Sequence, residues 1–176
     1  MVMIRNLVFA SLMLISCRQK IDIVRESETL IYAAESWDSE IKVSHKGKQN
    51  LNIQSGHIFQ AKDNDTVYFE KPVIVDFFDI NNGHALRLDA TFGYLDRKTN
   101  NMIATGNVIA KTDNRLVLIT EHLEYNGKTE LIHTQHNVVF LTDSDTLRGV
   151  GFQSDIKMEN WHILKPVGKS SRPTSE

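Results

Sequence analysis

Apolar and polar side chains alternate along most of the chain after Glu40. The clearest stretch has apolar residues at every second position from Leu86 to Tyr94, with polar residues or glycine between them. Because successive side chains of a β-strand point to opposite faces, this alternation predicts a strand with one apolar face. No stretch of the sequence has the spacing of a long amphipathic helix. The pattern therefore predicts an all-β chain of about nine or ten antiparallel strands, paired through hairpins.

A unit of strand, polar turn and second strand occurs three times. The two clearest copies have their turns at residues 96–101 and 126–130, and a weaker first copy has its turn at 62–65. A period of about 30 residues is typical of stacked units that cannot bury an apolar face alone. We therefore expect a long surface or groove in place of a compact catalytic pocket.

Elsewhere the strand pattern is interrupted. Leu30 to Trp37 is apolar enough for a strand, which we expect to be separate from the alternating stretch Ile41 to His45. Gly56 interrupts the next strand, and Pro72 is expected to begin a new one, because proline is tolerated at a strand's first residue. A sheet with two ends must fold over to bury its apolar face, and its edge strands remain available to another chain.

The first residues resemble a targeting segment. Arg5 is the only charge before an apolar run at 7–15, which is too short to span a bilayer. Leu14-Ile-Ser-Cys17 then matches a lipobox, in which the cysteine is acylated after the signal is removed. We predict a lipoprotein signal peptide at 1–16, acylated Cys17 with a tether to residue 29, a folded domain at 30–164 and a disordered tail at 165–176. The alternative is an ordinary signal peptide with a chance cysteine near the cleavage point.

The composition argues against nucleic-acid binding. Twenty basic and 22 acidic residues give a net charge of −2, and no basic block is present to contact phosphates. Cys17 is the only cysteine, so an exported chain of this sequence has no internal disulfide. The fold is therefore expected to be held by packing alone.

Residues that could carry chemistry do not form a recognisable motif. His133 and His136 would share a face on a helix but point to opposite faces of a strand, so we expect no metal site there. Asp143-Ser-Asp145 and residues 62–65 have the composition of turns. Nucleophile-elbow, phosphate-loop and dinucleotide-binding patterns are absent from the sequence. We predict neither an enzyme nor a cofactor; a carbohydrate-active enzyme with Asp143 and Asp145 as its acid pair is an alternative.

The alternating apolar face has two interpretations. It is either the core of a sandwich packed to native density, or the lining of a gap between two sheets that accepts alkyl chains. Both interpretations need the same sequence pattern, so the pattern alone does not separate them.

A series of short motifs carries a family resemblance. In chain order they are Pro72 to Asp79, Leu88-Asp-Ala90, Gly106-Asn-Val108, Leu118 to Tyr125, Ile132-x-Thr134, Arg148 to Asp155 and Trp161 to Gly168. In this order, downstream of a lipobox, they resemble the LptC family, the periplasmic component of the lipopolysaccharide exporter. The resemblance extends over about Phe69 to Gly168.

The resemblance implies a fold and a set of partners. The fold is a twisted, open β-jellyroll, an OstA-like sandwich of antiparallel strands with lipopolysaccharide acyl chains in its interior. The inner-membrane ABC exporter, formed by LptF and LptG with LptB, supplies the lipid. An LptA-like bridge protein receives it, and neighbouring jellyrolls join by edge-strand pairing. The family member is not itself the ATPase, so the resemblance implies no nucleotide site.

The N-terminus departs from the better-known family members, which keep a single transmembrane helix that packs within the exporter. Here the apolar segment is expected to be removed, which leaves acylated Cys17 as the membrane attachment. Arg18 follows the cysteine where enteric inner-membrane lipoproteins have aspartate. We expect an inner-membrane lipoprotein facing the periplasm, with outer-membrane sorting as the alternative.

Together, the resemblance and the alternating phase predict a lipid-binding groove. Its lining is expected to consist of the same-phase apolar residues of four strands, Leu86, Leu88, Ala90, Phe92, Val108, Ala110, Leu118, Val138 and Phe140. Two other functions stay open at this point. One is an envelope scaffold lipoprotein with a fully packed core, and the other is an LptA-like bridge or an outer-membrane-tethered relative.

Overall fold

A computed structural model describes residues 32–45, 47–62 and 65–168 of the chain. All regular structure in these ranges is β, as the sequence predicts. Among the described residues, nine strands form one antiparallel sheet in which each strand pairs with its neighbours in the chain, from β1 to β9. The strands are Tyr32–His45 (β1), Lys48–Ala61 (β2), Thr66–Phe78 (β3), His84–Asp96 (β4), Asn101–Thr112 (β5), Val117–Asn126 (β6), Leu131–Leu141 (β7), Thr146–Asp155 (β8) and His162–Val167 (β9).

The three predicted repeats are the hairpins β2–β3, β4–β5 and β6–β7. The last two have the same turn chemistry. The Asp96 carboxylate accepts hydrogen bonds from the backbone N–H groups of Lys98 and Thr99, and the Asn126 side chain does the same two and three residues further on. Each turn ends on a residue in the left-handed region, Asn100 (φ 57°) or Glu130 (φ 57°). The equivalence shows that the repeat is structural.

A line of register shifts crosses the sheet near the middle of its strands. The shifts fall in the segments 55–57, 70–73, 89–92, 105–108, 120–124 and 134–137, which are neighbours across β2 to β7. The sheet folds over along this bend line, because extra residues in a ladder bend the strand. Phe77 of β3 and Tyr125 of β6 are not on adjacent strands, yet their ring centroids are 5.0 Å apart. The two halves of the sheet therefore face each other.

The interruptions seen in the sequence are bends within continuous strands. The expected break between Trp37 and Ile41 is one residue, Asp38, with φ of 47° inside the 14-residue β1. Gly56 and Pro72 likewise lie inside β2 and β3, so the prediction that they end or begin strands is wrong. Gly106 has φ of +78° at the bend of β5, a backbone conformation that favours glycine. Sequence breakers here mark where a strand folds over.

The bend also reverses which residues face inward. Before it, Leu86 and Leu88 are buried; after it, Leu95 is buried while Phe92 is partly exposed. The Phe92 ring lies 6.4 Å from that of Tyr68, on the outer face. The prediction that one apolar face continues from Leu86 to Tyr94 is therefore wrong beyond Ala90, because the register shift between Asp89 and Phe92 changes the phase of the alternation.

The core lies between the two halves of the folded sheet. Its largest fully buried side chains come from strands on both sides of the bend line, and include Phe69, Phe77, Phe140, Phe152, Met102 and Leu123. At the C-terminal end, β9 pairs with β8 as far as Val167, so the first residues of the expected tail are in the sheet. The remainder of that tail (169–176), the expected signal peptide, Cys17 and the expected tether lie outside the described residues.

Candidate functional site

Seven of the nine residues predicted to line a groove lie together on one inner wall. They are at most 3 % exposed and come from β4 to β7: Leu86, Leu88, Val108, Ala110, Leu118, Val138 and Phe140. The pairing of the strands places Ala110 between Leu88 and Leu118, and Leu118 opposite Phe140, so these side chains form a row across the sheet. Ala90 is partly buried against the same core, whereas Phe92 lies on the outer face.

The interior behind this wall is closely packed. The gap bounded by Phe77, Leu88, Met102, Ala104, Leu123, Tyr125 and Ile132 has no room for a water molecule. Tyr125 lies within this layer, where burial raises the pKa of its hydroxyl to about 12, with a smaller contribution from the Glu130 carboxylate. The inner wall is thus part of a hydrophobic core, packed as protein interiors usually are.

The interior opens at the β1 edge. A cleft of about 630 Å³ lies between β1 and the facing half of the sheet, and we name it the β1 cleft. Its volume is within the roughly 300–1,000 Å³ typical of sites for small organic ligands. Apolar side chains cover its floor and Glu35, Glu40, Lys42, Arg97 and Asn100 form its polar rim; the floor residues are Ile41, Val43, Ile58, Val67 and Leu95.

Sequence reasoning missed the β1 cleft. Ile41 and Val43 alternate visibly in the sequence, but their opposite wall is Leu95 of β4, beyond the phase change. None of the nine predicted residues lines this cleft. The sequence signal for the β1 cleft is the change in alternation at each bend, which turns Leu95 inward beyond the register shift of β4.

A second cleft, of about 590 Å³, lies where the turns at the ends of the two sheet halves meet. We name it the turn cleft. Lys48, Lys98 and Lys128 line it together with Asp79 and Glu130. Hydrogen bonds from the Lys157 ammonium, and then from the backbone N–H groups of Gly83 and Asn81, lower the pKa of Asp79 to about 2. Asn100 lines both clefts, so the turn cleft and the β1 cleft are adjacent.

Histidine and carboxylate side chains cluster on the outer face. His57 of β2 lies between Glu70 of β3 and Glu35 of β1, with nitrogen–oxygen distances of 2.8 Å to each. These hydrogen bonds, to Glu70 first and then to Glu35, raise the pKa of His57. The Trp37 ring stacks on the imidazole with centroids 5.2 Å apart. These side-chain contacts connect β1, β2 and β3.

A second histidine cluster corrects the expected placement of His133 and His136. The register shift of β7 lies between them, so both side chains point to the outer face of the sheet, where they contact residues of β6. His133 Nε2 is 3.5 Å from the Glu124 carboxylate, and the His136 ring stacks on His122 at 5.0 Å. The prediction of opposite faces is wrong, because it assumed a regular strand. Among the residues that the structure describes, no group of three or more His, Cys, Asp or Glu side chains is placed to hold a metal ion.

The remaining chemical candidates lie in a turn. Asp143 and Asp145 belong to the connection between β7 and β8, where the backbone N–H of Thr142 donates to the Asp145 carbonyl oxygen. Both carboxylates are exposed, and the Ser144 hydroxyl is 3.2 Å from Asp145 Oδ2.

The residues that the structure describes include no helix with the length and hydrophobicity of a membrane span.

Comparison with protein families gives a match over residues 8–169 to the model described as "Lipopolysaccharide-assembly, LptC-related". The match covers most of the 176 residues, including every described strand. Comparison with curated proteins gives no match.

Proposed function

Because the chain belongs to the LptC family of lipopolysaccharide-assembly proteins, we propose that it accepts lipopolysaccharide from an inner-membrane ABC exporter and passes it to an LptA-like bridge. The observation that supports this most directly is the β1 cleft. It is apolar inside, polar at its rim, and continuous with the core of the folded sheet. A lipid that crosses water gains about 0.8 kcal/mol for each CH₂ group hidden from it, so such a cleft binds alkyl chains without any bond chemistry.

We propose that acyl chains enter at the β1 cleft and continue between the two halves of the sheet. The packed layer around Phe77 and Tyr125 leaves no space there, so the halves must separate as the chains enter. Leu88, Leu118 and Phe140, on the predicted inner wall, would then contact lipid instead of the facing half of the sheet. Phe92 is no longer part of the proposed lining, since it lies on the outer face.

The two edge strands are the proposed docking sites for the partners. An edge strand presents unpaired backbone groups to which another sheet can add. β1 begins 15 residues after Cys17, since 32 − 17 = 15. If Cys17 is acylated, a chain of this length holds β1 at most about 50 Å from the membrane. We therefore propose that β1 meets the exporter subunits LptF and LptG, and that β9, at the opposite edge, meets the bridge protein.

Anchoring by Cys17 is part of the proposal. Multiple acyl chains give stable membrane attachment where one chain does not. Cys17→Ala should move the protein from the membrane fraction to the soluble periplasmic fraction of a cell that exports it. Retention of the variant in the membrane would contradict lipid anchoring at this residue. The density of the membrane fraction that holds the wild-type protein distinguishes inner-membrane from outer-membrane sorting.

The packed interior favours one alternative, an envelope scaffold that carries no lipid. The two functions differ in what the purified protein contains. A lipopolysaccharide carrier extracted gently from its native membrane should retain lipopolysaccharide at a substantial fraction of one molecule per chain, detected by mass spectrometry of the extract. A scaffold should contain none above the level of an unrelated lipoprotein purified in parallel, and that result would overturn the transport function.

A further inference from the structure

The turn cleft contains two lysines without a carboxylate partner among the residues that the structure describes. Lys98 is paired with Asp65, with its Nζ 2.6 Å from the carboxylate oxygen. Lys48 donates to the backbone carbonyl of Ile80, which carries no net charge. Lys128 is exposed, and neither it nor Lys48 forms an ion pair with a described residue.

The carboxylates that line the same cleft leave this positive charge incompletely balanced. Asp79 is neutralised locally, because Lys157 Nζ lies 2.8 Å from its Oδ2 atom. Glu130 is the other carboxylate among the described lining residues, so within the described part of the chain one acidic group remains to balance Lys48 and Lys128. The chain as a whole has a charge of −2, so the turn cleft differs in sign from the average surface. An anionic group placed there would be attracted with little competition from neighbouring side chains.

The turn cleft is placed to bind the anionic end of an amphipathic molecule. It shares Asn100 with the apolar β1 cleft, so a single amphipathic molecule can occupy both. It also adjoins the packed layer, because Asn50 lines the turn cleft and hydrogen-bonds to the Tyr125 hydroxyl. A molecule with alkyl chains between the sheet halves would therefore bring its polar end to the turn cleft. This cleft lies where the turns of the two halves meet, at the side of the folded sheet away from the bend line.

We propose that the turn cleft binds the phosphate groups of the lipid's polar end through Lys48 and Lys128, while the acyl chains occupy the β1 cleft. This assignment rests on the proposed transport function, because it requires that the ligand be lipopolysaccharide, whose lipid portion carries phosphate. The lysine side chains supply up to three N–H donors each to phosphate oxygens. Phosphate would thus orient the lipid and fix which end leaves the protein first.

The test compares three ligands on the purified full-length chain: phosphorylated lipopolysaccharide, the same lipopolysaccharide after enzymatic removal of its phosphates, and inorganic phosphate. The variant is Lys48→Gln with Lys128→Gln. The matched control is Lys111→Gln with Lys165→Gln, which removes the same charge from exposed residues outside both clefts. Substitutions at exposed lysines usually change stability little, and a thermal melt of each variant checks this.

We expect the turn-cleft variant to bind phosphorylated lipopolysaccharide roughly tenfold more weakly, with the control unchanged. Removal of the phosphates should weaken wild-type binding by a similar factor and leave the variant's affinity as it was. Inorganic phosphate should not bind at the concentrations at which phosphorylated lipopolysaccharide does. Saturable binding of inorganic phosphate as tight as that of the lipid would overturn a lipid-specific site. Equal affinity of wild type and variant for the phosphorylated lipid would overturn the phosphate site while leaving transport intact. If neither lipid binds the wild type, the proposed function fails as well.

Discussion

At the scale of single residues, buried hydroxyl groups stabilise the bend line. The register shifts release backbone carbonyl groups from the β-ladder, and side chains at the bends replace the lost donors. The Ser55 hydroxyl is 2.8 Å from the His57 carbonyl oxygen and 2.7 Å from that of Glu70, and shares its proton between them. Thr120 donates to the Asn137 carbonyl oxygen at 2.9 Å in the same way.

Ser55→Ala should destabilise the fold by about 1–3 kcal/mol, because it leaves two carbonyl groups buried without a donor. Equilibrium unfolding in urea measures the change. Ser44→Ala, at an exposed residue of the neighbouring strand β1, is the matched control and should change the free energy of unfolding by less than about 0.5 kcal/mol. Equal effects of the two substitutions would show that the Ser55 hydroxyl does not support the bend.

The His57 cluster makes stability at the β1 edge depend on pH. Hydrogen bonds to Glu70 and Glu35 raise the pKa of His57 in the folded protein. A raised folded-state pKa contributes stability that is fully present below the unfolded pKa of about 6.5 and is lost as pH rises through the folded value. His57→Gln should therefore reduce the free energy of unfolding more at pH 5.5 than at pH 9. A difference between wild type and variant that does not change with pH would contradict this ion-pair assignment.

At the scale of strands, much of the fold is predictable from the sequence, because hairpins depend on local signals. The turn at Asp96 and the turn at Asn126 are visible as polar residues between apolar alternations, and both are where they are expected. The bends are not predictable in the same way. Gly56 and Pro72 indicate an irregularity, but only the partner strand decides whether it is an end or a register shift. The prediction that Phe92 faces inward is therefore wrong.

In the motif Arg148 to Asp155, close packing of two strands explains the glycine at position 149. A Cβ atom on Gly149 would lie 2.3 Å from the Ile163 side chain and 2.7 Å from the Lys165 carbonyl oxygen, so only glycine lets β9 approach β8. Gly149→Ala should push β9 outward and accelerate hydrogen exchange of its backbone amides. Gly168→Ala is the control, since nothing lies within 4 Å of its Cβ position. Unchanged protection of β9 in Gly149→Ala would contradict the requirement for close approach.

At the scale of the whole molecule, the site was less predictable than the fold. The inward phase of Leu88, Val108, Leu118 and Val138 follows from alternation, and the structure confirms that they are buried together. Whether that interior is open depends on how far the two halves of the sheet stand apart, which no local pattern encodes. The structure shows a closed middle and an opening at β1. The central claim is therefore that lipid enters at the β1 cleft and separates the halves.

Site-specific photocrosslinking to lipopolysaccharide tests this claim most directly. A photoreactive residue would replace Ile41 in the β1 cleft, Leu118 on the inner wall, or Lys111 on the outer face. In cells with an active exporter, we expect lipopolysaccharide adducts at Ile41 and Leu118 and none above background at Lys111. Adducts at Lys111 that equal or exceed those at Ile41, in variants that remain folded, would contradict it.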